Sequence, residues 1–91
     1  MHQEEVIMIV ARLKELKNNL LYAEMAKDRR SLNKRVRDAR RAIADYVYSL
    51  PSDVKGFLYT EVDVNAMSYQ YAEGDIGRCI KALEMWIIEH V

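Results

Sequence analysis

The first fifty residues contain neither glycine nor proline. These are the two residue types that most reliably interrupt a helix, so nothing in that stretch opposes continuous coiling. From Val6 the apolar residues Val6, Ile9, Val10, Leu13, Leu16 and Leu20 recur every three or four positions, with Ala23 on the edge of the same stripe. Such spacing lines one face of an α-helix. It predicts helix over roughly residues 3–27, about 38 Å long at ~1.5 Å per residue.

A second stripe, Leu32, Val36, Ala39, Ile43, Tyr46, Val47 and Leu50, keeps the helical period but does not continue the first. At about 100° per residue the two stripes fall on different sides of any continuous helix. A break near Asp28 to Ser31 resolves the conflict, with Asp28 or Ser31 as the cap of a second helix over about 31–49. No glycine marks that turn, and a single helix from 3 to 49 is the alternative. Pro51 closes the second helix, and Ser52 or Asp53 caps a third carrying Val54, Phe57, Leu58 and Val62. Thr60 to Val64 alternates like a strand but has no partner to pair with. The segment is therefore assigned to helix, with Asp63 capping a further turn through Val64, Met67 and Tyr71 that ends at Gly74 as a C-terminal cap. Asp75 then opens a last helix with the stripe Ile76, Ile80, Leu83, Ile87 and Val91.

The expected fold is all-α, one domain over residues 1–91, a small bundle of about four helices built on a long antiparallel N-terminal hairpin. Within it Tyr69 to Ile76, with Cys79-Ile80 and Ala82-Leu83-Glu84, resembles the helix-turn-helix of a tetratricopeptide unit. That likeness covers one hairpin of about twenty residues, and no repeat accompanies it. It is read as the chemistry of a tight helical hairpin, and no family is assigned.

The longest apolar run, Val6 to Ala11, has six residues, against the roughly 20 a membrane span needs. The opening Met1-His2-Gln3-Glu4-Glu5 lacks the basic start of a secretory signal, and the lone Cys79 has no internal disulfide partner. An intracellular, cytoplasmic protein is expected, without contact to a membrane.

The inventory for chemistry is short. The only histidines, His2 and His90, stand at opposite ends of the chain, away from any Ser, Cys or Asp in a nucleophile pattern. Cys79 lies beside the Ile76–Ile80–Leu83 stripe and reads as a small hydrophobe. Glu61, Asp63 and Asn65 are spaced like the opening of an EF-hand loop, but Ala66 and Ala72 stand where its glycine and its bidentate glutamate belong. Zinc spacing and phosphate-binding glycine loops are absent. No cofactor, metal or catalytic activity is expected.

Two features point to binding. Acidic and basic residues cancel at 14 each, yet residues 27–41 hold eight basic and two acidic side chains while 42–91 hold three basic and eight acidic. On the second helix Arg30, Lys34, Arg37 and Arg41 fall in one row opposite the apolar stripe, and Tyr48 extends it. Four cations over about 16 Å are suited to tracking nucleic-acid phosphates, with Tyr48 placed to stack on an unpaired base. Asp38 and Asp45, four residues after Lys34 and Arg41, support the plainer reading of a solvated or internally paired face.

The other feature is surplus apolar surface at both chain ends. Ile7 and Met8 point away from the first stripe, Leu21 and Met25 join the Ile7 side, and Met85, Trp86 and Ile88 do the same on the last helix. A helix apolar around much of its girth is either central or packed against another chain. The expected function is a small non-enzymatic helical interaction module, an adaptor or inhibitor. It is expected to form a homo-oligomer, with a dimer favoured, through Ile7, Met8, Leu21, Met25, Met85, Trp86 and Ile88, and to bind a protein partner not yet identified. The alternative is a nucleic-acid-binding protein using Arg30, Lys34, Arg37, Arg41 and Tyr48.

Overall fold

A computed structural model of the chain describes residues 1–25, 29–62 and 73–91, the side chains of 29–32 and 73–75 excepted. Four helices and no strand are found among these residues: α1 (Gln3–Glu24), α2 (Arg29–Tyr48), α3 (Ser52–Val62) and α4 (Glu73–Glu89). α1 packs against both α2 and α4, and α3 packs against α4. The architecture is therefore a helical bundle in which α1 is the shared wall.

Each of the seven apolar residues in the α1 stripe is buried, Val6, Leu13 and Leu20 completely. All but Ala23 join Ile43, Ala44, Val47 and Leu50 from α2, Val54, Leu58 and Val62 from α3, and Ile76, Cys79, Ile80 and Leu83 from α4 in one core. No polar or charged residue is buried among the described positions. At about 1.5–3 kcal/mol for each fully buried large aliphatic side chain, this cluster supplies the main force holding the helices together.

α1 and α2 are antiparallel. Asn19, Tyr22 and Ala23 near the end of α1 share a groove with Arg35, Asp38 and Ala39 near the start of α2. Further along the hairpin, Arg12 lies beside the half-buried Tyr46; burial raises the Tyr46 phenol above its ordinary value, and the guanidinium only partly opposes that shift. The break between the helices falls earlier than the sequence suggests. α1 ends at Glu24, with the Met25 amide bonded to the carbonyls of Leu21 and Tyr22, and α2 is already helical at Arg29. Ser31 therefore lies inside α2 and does not cap it, and Asp28 lies outside the described residues.

α2 gives way at Ser49, whose Oγ donates to the Tyr46 carbonyl at 2.7 Å. Pro51 then precedes α3, accepting from the Lys55 amide at 3.0 Å. Asp53 is partly desolvated, which raises its pKa, but the Val54 amide donating to Oδ1 at 2.9 Å and the Met1 ammonium 3.4 Å from Oδ2 outweigh this and hold its carboxyl below the ordinary range. The expected cap at Asp63, the turn through Val64, Met67 and Tyr71, and the first part of the tetratricopeptide-like hairpin lie outside the described residues. Gly74 is not a C-terminal cap, because α4 begins at Glu73 and includes it. Val91 does not extend the α4 stripe; the helix ends at Glu89 and Val91 is 92% exposed.

Gly56 sits in mid-α3, and a Cβ built there meets no heavy atom within 4 Å. Alanine at this position keeps the helix while removing glycine's excess freedom in the unfolded chain. Gly56→Ala is expected to stabilise the protein by about 0.5–1 kcal/mol, raising the thermal midpoint by several degrees. A lowered midpoint in a circular-dichroism melt would contradict a regular α3 at this residue.

Candidate functional site

The exposed large hydrophobics are concentrated on two helices. On α1, Ile7 is 49% exposed and Met8 73%, with Tyr22 and Met25 also at 73% near the other end. On α4, Met85 is 49% exposed and Ile88 69%. Five of the seven residues expected at an interface thus face solvent. The other two are held closer in. Leu21 is half-buried in the wall between α1 and α4. Trp86 is half-buried and packs against the core while its ring stacks on His90, with centroids 4.3 Å apart. His90 Nδ1 lies 2.8 Å from the Trp86 carbonyl, which can only accept, so that nitrogen carries the hydrogen.

Burial explains this arrangement. α1 spends one side on α2 and the other on α4, so its inward stripe is consumed by the core. Residues a half-turn away from that stripe have no described helix to meet. Tyr22 was missed as a member of this outer face, although its position four turns after Met8 places it there.

Between α1 and α4 runs an open groove of about 440 Å³ lined by Lys14, Lys17, Leu21, Gly77, Lys81 and Glu84. Lys14 Nζ spans it to Glu84 Oε2 at 3.5 Å, which fixes these helices as antiparallel when taken with Leu21 and Gly77 at the other end of the groove. Gly77 leaves room for Lys17, whose Nζ would lie 3.6 Å from a Cβ at that position. The groove thus assembles lysines and one paired glutamate, with no histidine or cysteine on its walls.

The basic row occupies the outer side of α2. Lys34, Arg37 and Arg41 are exposed, as is Tyr48, while the side chain of Arg30 lies outside those described. Lys34 and Arg37 form no ion pair with any described residue, so Asp38 does not neutralise Lys34. Lys55 adds a further cation that the sequence did not flag. Its Nζ lies 5.1 Å from the centroid of the Tyr48 ring and donates to the Tyr48 carbonyl at 3.1 Å. This links the start of α3 to the end of the row, and it places a lysine over the ring assigned to base stacking.

No group of three or more His, Cys, Asp or Glu side chains that could hold a metal ion occurs among the described residues. The EF-hand-like spacing contributes only Glu61 to them, Asp63 and Asn65 lying outside. Cys79 is buried in the core. No described helix is long and apolar enough to cross a membrane. The fold and this surface define a small all-α bundle with apolar outer faces and a basic flank. No protein-family profile, curated protein or solved structure matches the chain.

Proposed function

We propose that this chain is a non-enzymatic interaction module, an adaptor or inhibitor, which associates with a second copy of itself and presents helical faces to a protein partner. One observation carries the reading: Ile7, Met8, Met85 and Ile88 on α1 and α4, and Met25 at the end of α1, stand 49–73% exposed, although the described core residues of both helices are already buried. Large apolar side chains that are gathered on the same helices and left in water mark association sites more often than scattered exposure does.

A second reading is favoured by Lys34 and Arg37 on the outer face of α2, which pair with no described residue. Cations without local counter-ions are available to nucleic-acid phosphates, and such contacts weaken as salt releases the counterion advantage.

One measurement separates the two. The mass in solution is followed over a range of protein concentrations, with and without a short nucleic-acid duplex, at low and high salt. The module reading expects a species of about twice the chain mass that survives high salt, because apolar burial is not screened. The nucleic-acid reading expects a heavier complex only with duplex, lost at high salt and absent for Lys34→Glu with Arg37→Glu. A monomer at every concentration would refute self-association.

A further inference from the structure

The outer face of α1 has an internal symmetry that names its occupant. Ile7 and Met25 are eighteen residues apart, about five full helical turns, so they point the same way roughly 27 Å from one another. Met8 and Tyr22 are fourteen apart, about four turns, on one flank of that line. The first pair is centred on residue 16 and the second on residue 15, one residue apart along the helix. Between them Ala11 and Glu15 are exposed on the same outer side, whereas Lys14, Asn18 and Leu21 line the groove with α4.

We propose that α1 pairs with α1 of a second copy, antiparallel, about a two-fold axis crossing the outer face near Glu15. This rests on the self-association reading above and specifies its surface and register. The axis sets Ile7 against Met25 of the other copy and Met8 against Tyr22. Glu15 approaches its own counterpart near the axis, but each is held by Arg12 at 2.8 Å and enters as an ion pair rather than a bare carboxylate. A parallel arrangement would instead oppose Met8 to Met8, leaving Tyr22 to stack on itself.

The area is sufficient. With Ile7 49% exposed and Met8, Tyr22 and Met25 each 73%, at roughly 200 Å² per large side chain these four residues offer about 500 Å² per copy and about 1,000 Å² across the pair. That reaches the lower bound of specific interfaces, at about 1,000 Å². Heterologous partners need no such internal symmetry; an isologous dimer requires a patch complementary to itself.

A charge exchange tests the register. Ile7→Glu and Met25→Lys, made singly, place a charge in the seam, and both positions are exposed, so folding is retained and is checked by circular dichroism. Each single variant is expected to weaken association by about tenfold or more in sedimentation equilibrium. The double variant Ile7→Glu with Met25→Lys is expected to return to within about threefold of wild type, because across an antiparallel seam each new carboxylate faces a new ammonium. In a parallel seam the double variant opposes like charges and stays monomeric, which overturns the proposal. A wild-type dimer insensitive to all three variants also overturns it while leaving self-association standing through α4. A wild-type monomer removes both.

Discussion

Leu13→Ala should lower the free energy of unfolding by about 2–5 kcal/mol, the range for removing a fully buried leucine from a packed interior. Leu13 is 0% exposed at the middle of α1, the helix on which both α2 and α4 pack, so its loss leaves a void at the junction of three elements. A chain of 91 residues carries about 5–14 kcal/mol in total at the usual ~0.05–0.15 per residue, so the substitution removes a large share. The thermal midpoint should fall by about 10–30 °C. Met8→Ala, on the outer side of the same helix, should stay within about 0.5 kcal/mol of wild type. Equal effects from the two would show that α1 has no inward face.

Trp86→Ala is expected to cost about 2–3 kcal/mol, less than the ~3–5 of a fully buried tryptophan because part of the ring remains in water. The ring packs against the core and stacks on His90, so truncation removes a core contact and an aromatic contact together. Ile88→Asp, 69% exposed on the same helix, should change stability by no more than about 0.5 kcal/mol. The pair therefore separates folding from association. Loss of a complex with Trp86→Ala has two causes, and loss with Ile88→Asp has one. Denaturant melts of both proteins decide it, and a Trp86→Ala midpoint equal to wild type would place the indole outside the core.

Helical periodicity made the interior of α1 readable in full, since a residue's burial there depends only on which side of one long cylinder it occupies. α3 and α4 were readable for the same reason over Val54, Leu58 and Val62 and over Ile76, Ile80 and Leu83. Helix ends were less legible. Ser31 and Gly74 are good capping residues in isolation, yet both lie inside helices, because helix boundaries answer to packing as well as to local preference. Ala44 is buried without a periodic signal, being small enough to sit at the edge of the stripe.

The surface showed the opposite balance. Ile7, Met8, Met25, Met85 and Ile88 could be nominated by elimination, as apolar residues outside the stripes. Trp86 could not be placed, since an indole on the flank of a stripe folds inward or outward according to its neighbours, here His90. The Lys14–Glu84 and Lys55–Tyr48 contacts join residues 70 and 7 positions apart, and only the pairing of helices brings the first of them together.

Apart from the Cys79 thiol, the described interior is built of aliphatic side chains and buries no carboxylate, ammonium, guanidinium or imidazole. Tyr46 and Asp53 both shift away from neutrality, Tyr46 upward and Asp53 downward. Asp53 therefore adds stability above the carboxylate range and loses it only as acid protonates it, and the Tyr46 phenol stays neutral until strongly alkaline conditions. Between those extremes neither Asp53 nor Tyr46 changes charge, and the aliphatic packing of the described core responds instead to heat, denaturant and the fit of its hydrocarbon.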